Sequence, residues 1–222
     1  MSQHQKTNYD LYAHVLEYPD FNTVQSLKSL IIQQQDKRKS GSKQLQEFSD
    51  HYIVLNQKQR EELYTYTFDV QAITTMDVGY ILFGEDYKRG KLLVHLNHEH
   101  RLAGVDCKGQ LADHLPNMLR LINKPADETL KYEMAIRLII PAAQKINKDF
   151  TPETIQKKQK IYKKHQNTLL ENPVNHSQLY SLLFEALLKS LKNDFVTSHF
   201  AAVKRAVNYE VDFQNELKNS NL

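Results

Sequence analysis

Five of the six glycines in this chain of 222 residues, Gly79, Gly84, Gly90, Gly104 and Gly109, fall within one stretch, while the flanks have few residues that break a helix. Six prolines and six glycines leave little room for tight turns, and Leu, Lys, Gln, Glu and Ala are abundant, a balance that favours helices over a hairpin-rich sheet. A hydrophobic content of 41% is enough for one sizeable core. The expected fold is all-α, a single-domain helical bundle of roughly ten helices over residues 1–222.

Apolar spacing and punctuation locate the elements. Leu11 to Leu16 reads as a helix face that stops at Tyr18-Pro19-Asp20, and Asn22 or Thr23 caps a second helix carrying Val24, Leu27, Leu30 and Ile31. That helix is expected to dissolve into a mobile polar loop near residues 33–43. Lys43 to about Val70 again reads as helical, and Thr74 to Asp77 resembles a capping box opening a helix that Gly84 ends. Lys88 to Leu102 follows, with Leu92, Leu93 and Leu96 inward, and another helix opens near Asp113 or Leu115 with Pro116 in its first turn. Leu130 to Ile146 is expected to be interrupted or kinked at Pro141, and Thr151-Pro152-Glu153 makes a good helix start. Asn175 or Ser177 opens a last long helix through Leu191, with His199 to Val207 extending or following it and a loose tail beyond.

The 29 basic and 26 acidic side chains leave a net charge of +3, too small and too mixed to imply nucleic acid. Lys157, Lys158, Lys160, Lys163 and Lys164 form a basic run, but they spread around their helix and do not form one stripe. Cys107 is the lone cysteine, so an internal disulfide is excluded and a cysteine-based zinc site disfavoured. The polar N-terminus and the absence of a membrane-length apolar run give a cytoplasmic protein with no direct membrane insertion as the expectation.

Three constellations could carry chemistry. His95, His98 and Glu99 share a helix face at a spacing a metal would accept, yet Leu102 stands where a zinc-protease pattern needs its second histidine, and no histidine has a glutamate three residues before it. Asp113-His114 could be half of a triad, but no serine elbow accompanies it, and the alternative is that Asp113 caps the following helix. Gly84 to Gly90 lacks the Gly-Lys-Ser/Thr ending of a phosphate loop. Tyr64, Tyr66, Phe68, Tyr80, Phe83 and Tyr87 suit a core, or in part a groove that takes a partner helix. From the residues alone, no catalytic or metal-binding set and no cofactor are assigned.

One combination is more specific. Tyr64 with Phe68-Asp69, then Tyr80-Ile-Leu-Phe-Gly84-Glu-Asp-Tyr-Lys-Arg89-Gly90, Leu93 and Leu96 leading to Ala103-Gly104, and Leu111-Ala-Asp113-His114-Leu115-Pro116 follow in order. This series resembles the delta-subunit (NarJ-type) assembly chaperones of respiratory nitrate reductase, within the TorD/DmsD family of redox-enzyme maturation proteins. Gln110, Ala112 and Arg120-Leu121 depart from the family's usual residues, and His100 stands where an aromatic is more frequent.

The resemblance implies an all-helical chaperone and not an enzyme. Its partner would be the N-terminal leader and apo form of a molybdenum-containing catalytic subunit, with molybdenum cofactor biosynthesis proteins as further partners. Carried over by position, Tyr64, Phe68, Tyr80 and Phe83 would form or support an apolar groove, with Pro116 beside it. Asp69, Asp113 and His114 would meet cationic or polar leader groups, and Arg89 would contact the leader or hold its own loop through an acid such as Asp69. The alternatives are a general helical peptide-binding adaptor, or a metal-dependent hydrolase using His95, His98 and Glu99.

Overall fold

The computed structural model describes residues 7–35, 41–124, 127–165 and 178–197. In chain order its helices are α1 (Tyr9–Val15), α2 (Thr23–Gln35), α3 (Ser42–Tyr52), α4 (Gln57–Phe68), α5 (Val78–Phe83), α6 (Tyr87–Leu102), α7 (Leu115–Asn123), α8 (Glu128–Met134), α9 (Ile140–Asp149), α10 (Pro152–His165) and α11 (Leu179–Leu191). π-helical turns at Ala135–Ile139 and Lys192–Thr197 continue α8 into α9 and extend α11. The fold is all-α, as the sequence requires, and no β-strand forms among the described residues. No helix among them is long and apolar enough to cross a membrane.

Short polar side chains set several of the helix starts. Asn8, Asp86 and Asp127 each accept a backbone N–H from the first turn that follows them, and Asn56 with Gln59 closes a reciprocal capping box. That box is why the helical reading of Lys43 to Val70 divides in two: the apolar pattern runs on, but Asn56 restarts the helix after Tyr52. The expected box at Thr74–Asp77 does not form. Asp77 is itself the N-cap residue of α5 and makes no side-chain capping bond, because its carboxylate is turned to Arg89 and His114.

Pro141 has no N–H to give and would clash in a regular helix interior. The chain answers with the π turn just before it, in which Ile140 N–H reaches back five residues to Ala135 O, and the helix continues without interruption. Pro152 sits in the first turn of α10, as expected. The expected starts at Asn175 or Ser177, the segment His199–Val207 and the tail lie outside the described residues.

Packing is organised by α11, which is apolar almost all round and lies against α3 and α9, while α1 packs on α7 and α2. Phe48 meets Tyr180 at 5.8 Å, Phe68 meets Tyr180 edge-on at 4.9 Å, and Tyr64 meets Phe68 at 5.0 Å, so aromatic rings join α3, α4 and α11.

Gln33 to Gln35 are helical, contrary to the expected loop; residues 36–40 lie outside the described set. Gln34 is buried, where its amide donates to Ser190 Oγ at 2.9 Å, and Ser190 pairs with the Tyr12 hydroxyl at 3.1 Å. A partner 156 positions away therefore turns a polar stretch into part of the core. Ser190→Ala should leave the Gln34 amide only its longer, 3.4 Å bond to the Tyr12 hydroxyl and cost about 1 kcal/mol. Urea denaturation should show a lower midpoint with an unchanged slope.

Candidate functional site

Arg89, Asp113 and His114, three of the residues singled out by the resemblance, come together at the N-terminal end of α5. Asp77 and His114 form an isolated antiparallel bridge, in which Val78 N–H donates to Asp113 O and Leu115 N–H to Met76 O, both at 2.9 Å. This pairing clamps the starts of α5 and α7 side by side. Between them lies Asp113, fully buried, whose Oδ2 accepts from Gly79 N–H and from Arg89 Nε, each at 3.1 Å. Arg89 also donates from Nη2 to Asp77 Oδ2 at 3.1 Å, so one guanidinium spans two carboxylates.

Glycine at position 79 is a steric necessity. A Cβ there would stand 2.7 Å from Asp113 Oδ2 and 3.1 Å from Arg89 Cγ, so a side chain would push the carboxylate off the backbone N–H. Gly84 has a different role: it caps α5 with φ +65°.

Asp113 and His114, adjacent in sequence, turn apart. Asp113 faces Gly79 and Arg89, while His114 Nδ1 faces Asp77 Oδ1 at 3.4 Å. They are not a catalytic dyad. Nor does Asp113 cap α7, whose N-cap residue is His114, with no side-chain capping bond. The His114 hydrogen bond holds the Asp77 carboxyl below the usual carboxylate range; burial opposes this, and the charges of His114 and Arg89 reinforce it. Burial raises the Cys107 thiol and nearby Asp106 adds to the rise, so this sulfur is not an activated nucleophile.

The expected partnership of Arg89 with Asp69 is replaced by Asp77 and Asp113. Asp69 lies exposed at the end of α4, and its carboxylate makes no ion pair or hydrogen bond among the described residues. Partial burial raises its pKa, and His114 is close enough to oppose that. Tyr64 and Phe68 are core residues, 6% and 9% exposed, and thus support a surface and do not line it. The ring on the outside is Tyr18, 53% exposed and set edge-on against Tyr64 at 5.4 Å. Val70, beside Asp69, is also exposed. In the sequence Tyr18 marks a helix stop and belongs to the Leu16–Asp20 segment that extends the resemblance, but its signal as a site residue, an aromatic before Pro19, is shared by ordinary turns.

Pro116 is buried in the first turn of α7, while Tyr80 and Phe83 are exposed on α5. Tyr80 carries the Arg89 guanidinium 5.5 Å from its ring centre. The structure thus brings Tyr80, Arg89, Asp113 and His114 into one node, while Tyr64 and Phe68 pack with Tyr18 and Tyr180 and Asp69 stays outside the node. The histidine cluster on α6 does not assemble: His98 meets the Arg101 guanidinium at 3.0 Å, and no group of three potential metal ligands comes together among the described residues. Comparison with protein-family models gives no match to this chain, and a search of curated proteins finds no relative.

Removing Arg89 leaves a buried carboxylate without its counter-charge. Arg89→Met should therefore cost about 3–5 kcal/mol in urea denaturation, against less for Asp113→Asn, which keeps an oxygen for Gly79 N–H.

His100 adds a pH dependence. Its Nε2 bonds Ala112 O at 2.9 Å, and a carbonyl can only accept, so Nε2 holds the hydrogen. Nδ1 is then bare, buried and without a partner among the described residues. Burial lowers the His100 pKa, and the Ala112 carbonyl opposes this only in part. The unfolded chain takes up the proton near pH ~6.5 while the fold resists it, so this contribution is complete above that pH and is lost as pH falls below it. His100→Phe should reduce the drop in urea midpoint between pH 7.5 and 5.5.

Proposed function

We propose that this protein is a cytoplasmic, system-specific chaperone, without catalytic activity of its own. It binds the N-terminal leader and apo form of a molybdoenzyme catalytic subunit, of the nitrate reductase kind or a relative. Bound there, it assists molybdenum cofactor insertion before membrane docking or export. The observation that supports this reading is convergence: Gly79 to Arg89 and Asp113-His114, two of the segments that carry the resemblance, are far apart in the chain and meet at the start of α5.

Their arrangement suits peptide capture. Tyr18 and Val70 offer apolar surface beside Asp69, whose carboxylate is open to a cation from outside. An amphipathic leader helix with a basic residue would place its apolar side on the Tyr18–Tyr64 pair and its charge on Asp69. Asp113, Arg89 and Gly79 hold the platform behind that contact, so their role in binding is to keep the two helix starts together. Molybdenum cofactor biosynthesis proteins would act on the client while it is held, and are partners of the complex.

The test is calorimetric titration with leader peptides of the molybdoenzyme subunits encoded nearby. Binding should weaken about fivefold in Asp69→Asn, a loss of the ~1 kcal/mol expected of one surface charge pair, and further in Tyr18→Ala. Absence of heat with every such leader would sink the proposal.

A further inference from the structure

Tyr80, exposed on α5, borders a cleft. This open cleft of about 760 Å³ is lined by Tyr80 and Ile81 of α5, by the segment before it, and by Lys145, Lys148, Lys158 and Tyr162 from α9 and α10. The leader surface described above does not use it.

The charges in this cleft are unequally matched. Lys158 is paired with Asp149 at 3.1 Å and also donates to Ile73 O. Lys145 donates to Ile81 O at 3.2 Å, a neutral acceptor that leaves its charge uncompensated. Lys148 is exposed and has neither ion pair nor hydrogen bond from its ammonium among the described residues. Residues 140–165 carry seven lysines against two carboxylates, so the surroundings add to the positive potential. Tyr162 is held in place by its hydroxyl, which donates to Ala72 O at 3.0 Å, and Tyr80 is fixed from behind by Arg89.

We propose that this cleft binds an acidic polypeptide segment of the client, with carboxylates on Lys145 and Lys148 and an aromatic or aliphatic side chain between Tyr80 and Tyr162. A polypeptide fits better than nucleic acid because the other lysines of α10 spread around the helix and give no track for successive phosphates. Two isolated cations beside apolar surface instead match the mixed chemistry of a peptide. The inference rests on the chaperone reading only for the identity of the partner, giving the client a second attachment apart from the first.

Fluorescence anisotropy on the full chain tests it, with a labelled peptide rich in glutamate and phenylalanine, its lysine-for-glutamate counterpart, and single-stranded oligo-dT as probes. The acidic peptide should bind in a salt-sensitive way. Lys145→Glu with Lys148→Glu should weaken it about tenfold or more, and Lys148→Glu alone about threefold; that second variant breaks no contact of the fold. Lys160→Glu with Lys163→Glu makes the same change of net charge outside the cleft and should leave affinity within about twofold. No binding of the acidic peptide, equal losses in the two double variants, or tighter binding of the lysine peptide or oligo-dT would each overturn the cleft proposal. Loss of leader binding with acidic-peptide binding intact would overturn the chaperone reading and leave this one standing.

Discussion

A buried carboxylate needs a partner, and in this fold the demand of Asp113 organises the centre. Its Oδ2 is satisfied by one backbone N–H and one guanidinium, contributed by α5 and α6. Because both donors must reach the same oxygen, the starts of α5, α6 and α7 cannot move independently. Position 79 has no room for a side chain for the same reason. Such a pair adds little net stability over an apolar core, since desolvation offsets much of the attraction, but it penalises any other arrangement of these helices.

The aromatic rings extend that rigidity outward. From Phe48 through Tyr180, Phe68 and Tyr64 to Tyr18, ring contacts run from the middle of the bundle to its surface. Tyr18 is thus an exposed ring on a fixed base, and a partner docking on it would not need to order a loose side chain first. On α5, Tyr80 is steadied by the same Arg89 that holds Asp113. One guanidinium therefore connects the core node with the cleft.

Several polar residues read differently once packed. Gln34 looked like loop and is core, because Ser190 and Tyr12 supply partners that no local pattern reveals. Asp77 looked like the far end of a capping box and is a ligand of Arg89. Asp69 looked like the natural mate of Arg89 and faces outward. In each case the competing bond crosses between elements, and its strength comes from burial that only assembly creates.

The sequence by itself determined the helical class, most helix starts and the place where the chain turns, since caps, proline, glycine and apolar spacing act within a few residues of one another. It also marked Arg89, Asp113, His114 and Tyr80 as belonging to one region. Which carboxylate takes the guanidinium, which way Asp113 and His114 point, and which aromatic ring reaches solvent were decided by the tertiary structure alone. Those outcomes depend on a guanidinium and a backbone N–H, 24 and 34 positions from Asp113, reaching the same buried oxygen, and no local periodicity encodes that.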